Sequence, residues 1–304
     1  MTIGGRGTIG RALAVLVPYL WLAFFFLGPF LIVFKISLSD DVLAQPPYAP
    51  VLDLAKGWNG IRDFLSALDF NNYVFVLGDA IYIESYLQSL RIAAVSTLLL
   101  FMVGYPIAYA MARAPRGLRP LLVMLVILPF WTSFLIRVYA WIGILARDGF
   151  LNQALMTLGI VDQPLEILST NTAVYIGIVY TYLPFMVLPL YAALERLDET
   201  LLEAAADLGS PPWKSFWQVT FPLSLPGVVA GSLLCFIPAV GEFIIPDLLG
   251  GSETLMIGKT LWTEFAVNRS WTVSSAIAVL LLMVLVVPIM FYQRQQVRTL
   301  ADGR

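Results

Sequence analysis

Six stretches of apolar residues, separated by polar ones, run through this chain. A bilayer core is crossed by roughly 20 apolar residues in a helix, and each stretch has about that length. The pattern therefore predicts an all-α membrane protein, with six transmembrane helices in a single domain that covers residues 1–304. The predicted spans are residues 12–36, 88–112, 121–145, 172–192, 225–245 and 273–292.

Residues 194–224, called here the polar insert, separate the fourth and fifth apolar stretches. Acidic residues stand near its start, where the helix dipole favours them, and apolar residues then recur at helical spacing. Gly209, with two prolines close behind it, predicts the end of this first helix. A second short helix is predicted over residues 213–219, ending before Pro222. The alternative is an ordinary surface loop that packs back on the spans.

Composition excludes several classes of function. The chain is 59% hydrophobic and 12% charged, which is more apolar than a soluble core can hide. Its 18 basic residues are dispersed, so no nucleic-acid-binding face is expected. The chain has no histidine, and its one cysteine, Cys235, cannot form a disulfide within the chain. These absences argue against a metal site, a Ser-His triad and a membrane-embedded enzyme.

The basic residues also predict the topology, because cytoplasmic loops carry an excess of Lys and Arg. Ten of them fall on the side of the termini, and five fall in the opposite loops. The first set is Arg6, Arg11, Arg113, Arg116, Arg119, Arg196, Lys214, Arg294, Arg298 and Arg304, and the second is Lys56, Arg62, Arg147, Lys259 and Arg269. Both termini and the polar insert are therefore predicted to be cytoplasmic. The long acidic loop of residues 37–84, which includes Asp53, is then outside. Its acidic residues could attract cations or a basic partner surface. The alternative is that the loop is acidic only because translocated loops contain few basic residues.

The polar insert contains Glu203-Ala204-Ala205 and then Gly209. This pattern resembles the EAA loop of the permease subunits of binding-protein-dependent ABC importers. Further segments, among them PGVVAGSLLCFIPAVGEFIIPDLLGG at residues 226–251, resemble the polyamine branch of that family, nearest to the first of the two permease subunits of the putrescine importer. The resemblance covers almost the whole chain and implies the type I importer permease fold with a cytoplasmic coupling loop.

The resemblance also implies partners. These are a second homologous permease, two ATPase subunits that bind ATP and Mg, and a periplasmic polyamine-binding protein. The residues expected to couple to the ATPase are Glu203, Ala204, Ala205, Asp207 and Gly209. The chain itself is expected to bind no cofactor or metal, since its nearest approach to a phosphate loop, residues 251–260, has six residues between the glycines where four are required.

Ionisable residues inside a span usually face a pathway. Glu242 is the strongest candidate, because Pro238, Gly241 and Pro246 predict a break in the helix around it. Carboxylates could replace the lost hydration of a diammonium substrate, and aromatic rings could hold its ammonium groups. The candidate pathway residues are Glu242, Asp247, Trp131, Tyr139, Trp141, Tyr182 and Phe243. The alternatives are an interfacial belt or helix packing for the rings, and a structural hydrogen bond for Glu242.

Two further patterns predict structure. Lys35, Arg91 and Arg137 stand toward the outer ends of their spans and are expected to snorkel to the membrane interface. The pair Gly227 and Gly231, four residues apart, predicts close packing of two helices.

The expected function is that of a permease subunit of an ATP-driven importer in a bacterial inner membrane, with a polyamine, putrescine foremost, as substrate. The alternatives are another small cationic or amino-acid-like substrate, an autonomous channel, and a membrane-embedded enzyme.

Overall fold

The computed structural model describes residues 5–51 and 57–302 of the chain. These residues form two compact units. One consists of the residues up to 83 together with those from 261 onward, and the other of residues 84–260. Asp53 and Lys56, used above to predict the topology, lie outside the described residues.

The first unit begins with an apolar helix that runs on through a short π-helical turn. Its elements are α1 (Gly5–Leu22), the π turn (Ala23–Leu27), α2 (Gly28–Ser37), β1 (Asp40–Asp41), β2 (Tyr48–Ala49), α3 (Gly57–Ser66), α4 (Asn71–Gly78) and, near the C-terminus, a π turn (Thr263–Val267) and α15 (Trp271–Asp302). The two strands pair antiparallel, with Asp40 opposite Ala49. Helix α15 packs against α2 and α4.

The end of α2 is held by side chains of α4. The Asn72 amide donates hydrogen bonds to the backbone oxygens of Ser37 (3.0 Å) and Ser39 (2.8 Å), and so satisfies carbonyls at the end of a helix. The Tyr73 hydroxyl lies 2.6 Å from the hydroxyl of Ser37. Burial raises the pKa of Tyr73 above its ordinary value.

The second unit contains most of the remaining helices. They are α5 (Ala80–Arg113, which starts in the first unit), α6 (Arg119–Ile127), a 3₁₀ turn (Leu128–Trp131), α7 (Phe134–Leu145), α8 (Phe150–Thr157), α9 (Asn171–Glu195), α10 (Thr200–Asp207), α11 (Pro212–Ser215), a π turn (Phe216–Thr220), α12 (Phe221–Val240), α13 (Ile244–Leu249) and α14 (Ile257–Trp262).

Four helices in the described part of the chain are long and apolar enough to cross a bilayer: Ala14–Ser37, Ala80–Arg113, Asn171–Glu195 and Pro212–Val240. Each overlaps one predicted span, but the helix that overlaps residues 225–245 ends at Val240, before the predicted end. The sixth prediction corresponds to a shorter apolar helix, Trp271–Val286.

The third predicted span, residues 121–145, is not one straight helix. Arg119–Trp131 and Phe134–Thr157 meet at an angle of 87°. The 3₁₀ turn around Pro129 tightens the end of the first part, and Thr132 and Ser133 are extended, with ψ of 153° and 137°. A 3₁₀ stretch with a proline is a known cause of such breaks. The break was not predicted, because the whole segment is apolar and so has the composition of one continuous span.

The core of the second unit is the contact between α9 and α12, and the predicted role of Gly227 and Gly231 is confirmed there. A Cβ at Gly227 would lie 2.6 Å from the Cβ of Ala193, and one at Gly231 would lie 3.1 Å from the backbone oxygen of Met186. The first distance is too short for a real Cβ and the second is tighter than most real Cβ contacts, so the two glycines let the helices approach this closely.

Candidate coupling segment and translocation site

The first helix of the polar insert is α10, and both of its ends are capped. At its start, the Thr200 N–H donates a 3.0 Å hydrogen bond to Asp198 Oδ1. This bond holds the pKa of the Asp198 carboxyl below its usual range. At its end, Gly209 N–H donates to the oxygen of Ala206 (2.8 Å) and Ser210 N–H to that of Ala205 (2.9 Å), while Gly209 has a φ of +76°. This is the Schellman arrangement, and the predicted helix end at Gly209 is confirmed.

The second half of the polar insert differs from the prediction. Helix α11 continues through the π turn at Phe216–Thr220 into α12, so the chain stays helical past Pro222. The expected helix end before Pro222 is therefore wrong. Pro222 lies in the first turn of α12, next to a π turn whose wider hydrogen-bond spacing can accommodate a residue that lacks an N–H.

The residues expected to couple to a partner lie together on α10 and the turn after it. Glu203, Ala204, Asp207 and Gly209 are exposed, and Ala205 is partly buried. Large apolar side chains beside them are also uncovered, with exposed fractions of 88% for Leu208 and 73% for Trp213. An exposed apolar group rimmed by polar residues is typical of a binding surface.

Ion pairs join the start of the polar insert to the loop between α5 and α6. Arg113 lies 3.5 Å from Glu199, and Arg119 lies 3.3 Å from Glu195. Both glutamates are substantially exposed, and exposed pairs contribute little to stability. They show that the start of the polar insert lies next to the end of α5 that carries Arg113.

Glu242 lies in a break between two helices, as predicted. Helix α12 ends at Val240 and α13 begins at Ile244. Glu242 Oε2 accepts a 2.6 Å hydrogen bond from the hydroxyl of Tyr182, and Oε1 accepts one of 3.1 Å from the N–H of Ile244. A carboxylate has about four acceptor positions, so these two bonds leave room for a further donor.

Gly258 supports this break from the other side. A Cβ at Gly258 would clash with the backbone oxygen of Gly241 and would lie 2.6 Å from that of Glu242. The start of α14 therefore packs directly on the backbone that carries the carboxylate. Sequence reasoning did not single out Gly258, because the contact joins residues that are distant in the chain.

The other predicted pathway residues do not all gather at Glu242. Asp247 forms a 3.4 Å ion pair with Lys259, so its charge is already compensated. Trp141 packs against Tyr180, with ring centroids 5.4 Å apart. Trp131 and Tyr139 are exposed, and Phe243 follows Glu242 at the start of α13. The structure thus brings Tyr182 to Glu242, whereas Phe243 is next to Glu242 only as its neighbour in the chain.

The comparison with protein families decides what kind of protein carries this arrangement. Residues 101–301 match the model of the family described as "Binding-protein-dependent transport system inner membrane component". This chain belongs to that family. The inner membrane transport component is therefore a subunit of a transporter and not an enzyme, and its fold is that of a type I ABC importer permease.

Two relatives are similar to this transport component over most of its length. The spermidine/putrescine transport system permease protein PotB of Haemophilus influenzae is 38% identical over 285 residues, which are 93% of each chain. The protein of the same name from Escherichia coli is 43% identical over 224 residues, 74% of this chain and 81% of the relative.

A solved structure has the same fold. It is the crystal structure of a bacterial alginate ABC transporter in complex with an alginate pentasaccharide-bound periplasmic protein. One of its chains matches this transport component with a TM-score of 0.69 and 17% identity, over 97% of this chain and 98% of that one. At this identity the likeness concerns the fold alone.

A cavity that was not predicted lies at the start of α5. This cavity is called here the outer cavity, because the predicted topology places it on the outer side. It has a volume of about 590 Å³ and is lined by Glu84, Leu87, Gln88, Arg91, Ile92, Asn171, Tyr175 and Glu253. The spacing of Glu84, Gln88 and Arg91 puts all three on one face of α5. This polar face at the start of an apolar helix could have indicated the cavity from the sequence. Arg91 thus lines a cavity, whereas the sequence suggested only that it reaches the membrane interface.

Arg137 also differs from the expectation that it snorkels. Its side chain is buried, and its guanidinium carbon lies 5.2 Å from the centre of the Phe130 ring. Its Nε has no hydrogen-bond partner among the described residues. Arg137 lies in the first turn of α7, and its guanidinium thus faces a ring of the 3₁₀ turn before the bend.

Proposed function

We propose that this chain is a permease subunit of an ATP-driven ABC importer that carries a polyamine, putrescine foremost, across the inner membrane into the cell. The observation that carries the proposal is the similarity to spermidine/putrescine permeases, which extends over 93% of this chain at 38% identity. Two amines appear in the name of those relatives, so the preference for putrescine needs its own test.

The geometry at Glu242 supports a cationic substrate. The carboxylate lies at a helix break in an apolar segment, and no ion pair to it occurs within the described residues. A charge in such surroundings is costly unless it is paired. The two hydrogen bonds from Tyr182 and Ile244 offset part of this cost, and the ammonium group of a passing amine would offset the rest.

The partners follow from the same proposal. A second homologous permease completes the pathway, two ATPase subunits bind ATP and Mg, and a periplasmic protein delivers the amine. With both termini in the cytoplasm, the polar insert faces the ATPases. The uncovered Leu208 and Trp213 beside the acidic and alanine residues of α10 support docking there. ATP binding would then move the insert and switch the pathway between outward- and inward-facing states.

The proposal is tested by uptake into proteoliposomes that contain the complete complex, with labelled putrescine, spermidine, an amino acid and an alginate oligosaccharide offered in turn. We expect uptake of the two polyamines, with putrescine the faster, and no uptake of the other two. Uptake of the amino acid but of neither polyamine would refute a polyamine permease, and faster spermidine uptake would refute only the putrescine preference.

Two substitutions test the role of Glu242 within that assay. Glu242→Gln keeps the shape and the acceptor oxygen but removes the charge, and we expect it to lower polyamine uptake while the complex still assembles. Glu242→Ala removes the acceptor as well and should also weaken the structure of the break. If Glu242→Gln transports at the parental rate and Glu242→Ala prevents assembly, the residue is a structural hydrogen-bond acceptor and not a cation site.

A further inference from the structure

Seven aromatic rings join the inner end of α5 to the polar insert. They form two stripes at helical spacing, one on α5 and one that continues from α11 into α12, and are called here the aromatic cluster. Its members are Phe101, Tyr105 and Tyr109 on α5, and Trp213, Phe216, Trp217 and Phe221 on the other side. The polar insert is thus in side-chain contact with a helix to which it is not directly joined by the chain.

Phe216 is the centre of this cluster. Its ring centroid lies 5.7 Å from that of Tyr105 and 6.2 Å from that of Tyr109, both on α5. It also lies 5.2 Å from the ring of Trp217 and 6.4 Å from that of Phe221. Most of these rings meet edge to face, which is the favourable geometry for aromatic pairs, so Phe216 is held from both sides.

A hydrogen bond and an ion pair extend the same contact. The hydroxyls of Tyr105 and Ser224 lie 3.0 Å apart and are buried, and Arg113 pairs with Glu199. Pro106 lies inside α5, where a kink would otherwise let the last turns move alone. Phe101 and Tyr105 contact the polar insert before Pro106, and Tyr109 and Arg113 contact it after Pro106. Both parts of α5 are therefore held by the polar insert, whether or not the helix bends at Pro106.

At its other end α5 lines the outer cavity. Glu84, Gln88 and Arg91 contribute to the cavity wall, and Arg113 lies at the end of the same helix. At about 1.5 Å of rise per residue, the helix carries a displacement over roughly 45 Å between Glu84 and Arg113. Packed helices shift between discrete arrangements and do not deform continuously, so a movement at one end of α5 reaches the other.

We infer that Phe216 is a positioning residue that transmits movement of the polar insert into α5, and thereby sets how accessible the outer cavity is. The inference rests on the proposed docking of an ATPase on the polar insert, but not on the identity of the substrate. Spatial connection alone does not establish energetic coupling between two sites, so the test measures coupling directly.

The reporter is a cysteine at Leu87, a lining residue of the outer cavity whose side chain is exposed. It is introduced after the only native cysteine, the buried Cys235, has been replaced by alanine. The complete complex is assembled in proteoliposomes, and the rate of reaction with a membrane-impermeant maleimide is measured with and without a non-hydrolysable ATP analogue. We expect the two rates to differ by about fivefold or more, the lower end of typical allosteric coupling.

Phe216→Leu should reduce this difference while ATP hydrolysis by the complex continues, because both ring contacts of Phe216 to α5 are lost but the docking face of α10 remains. The ring contacts of Phe221 to α5 are kept in this variant, so part of the difference should persist. Phe216→Tyr, which restores a ring, should restore the full difference. Phe265→Leu is the matched control, since Phe265 contacts the rings of Trp262 and Trp271, and it should leave the difference unchanged. Tyr109→Leu removes one of the two contacts from the α5 side with the polar insert intact, and it should reduce the difference by less than Phe216→Leu does.

A nucleotide-dependent difference that keeps its parental size in Phe216→Leu and in Tyr109→Leu would overturn the inference. So would the absence of any difference in the parental complex, or an equal loss in Phe265→Leu. Since no polyamine is present, these outcomes are separate from failure of the polyamine proposal, which would appear only in the uptake assay.

Discussion

Gly209 is the position where a single substitution should separate ATP hydrolysis from transport. It ends α10 with a φ of +76°, a conformation that costs an L-residue with a Cβ roughly 1–2 kcal/mol. No atom lies within 4 Å of where that Cβ would be. A side chain at this position would therefore meet no steric obstruction, and the entire effect of the substitution would come from the backbone.

The size of the effect follows from that cost. A destabilisation of about 1–2 kcal/mol lowers the population of the native turn by a factor of about 5–30. Valine is β-branched, which makes a positive φ still less favourable. Gly209→Val should therefore lower the population of the native turn by the upper end of this factor or more. Gly209→Asn should keep most of the native turn, because asparagine tolerates the left-handed region, and Gly209→Ala should fall between the two.

The measured quantity is the number of polyamine molecules imported per ATP hydrolysed by the reconstituted complex. We expect this ratio to fall in the order Gly, Asn, Ala, Val. Gly117 is the matched control. It is an exposed glycine in the turn between α5 and α6, it also has no atom within 4 Å of its Cβ position, and its φ is outside the left-handed region. Gly117→Val should therefore leave the ratio unchanged.

The order of the variants decides the matter. If Gly209→Asn were as impaired as Gly209→Val, the loss would come from the side chain at a docking surface and not from backbone conformation. If Gly209→Val transported with the parental ratio, the turn would have no role in coupling.

Two further predictions follow from the ion pair and from the charge pattern. Asp247→Asn should lower polyamine uptake by less than Glu242→Gln does, because Lys259 already compensates Asp247, and an equal or larger loss in the same proteoliposome assay would contradict this. A cysteine near Asp53, in the predicted outer loop, should react with an impermeant thiol reagent applied to intact spheroplasts, whereas one near Pro212 should not. The reverse labelling pattern would invert the predicted topology, and the polar insert would then lie on the side of the membrane away from the ATPases.

Local signals allowed several features of the site to be predicted. The end of α10 at Gly209 and the break that carries Glu242 both follow from glycine and proline, whose backbone preferences act within a few residues. Pro222 shows where this reasoning fails. A proline is expected to end a helix, but the wider hydrogen-bond spacing of the neighbouring π turn lets the helix continue through Pro222. A π turn has no clear signature in the sequence.

Features that depend on contacts between distant residues could not be predicted. Three such contacts join segments that the sequence gives no reason to pair: the ion pair of Lys259 with Asp247, the close approach of Gly258 to the backbone of Glu242, and the edge-to-face contact of Phe216 with Tyr105. The bend between α6 and α7 could not be predicted either, because the apolar composition of that region is equally consistent with a straight helix.

The π turn at Phe216–Thr220 makes the length of this region critical. In an α-helix a spacing of five residues turns two side chains about 140° apart, yet Phe216 and Phe221 are in ring contact, because the wider turn absorbs one additional residue. Removing one residue within the π turn would restore regular winding and leave the two sides in nearly their present relative orientation. Adding or removing a residue in the regular helix beyond the turn has no such compensation and would rotate everything on one side by about 100° relative to the other. Such changes of length, which most connecting segments tolerate, would there turn α10 away from its docking orientation without changing a single residue of it.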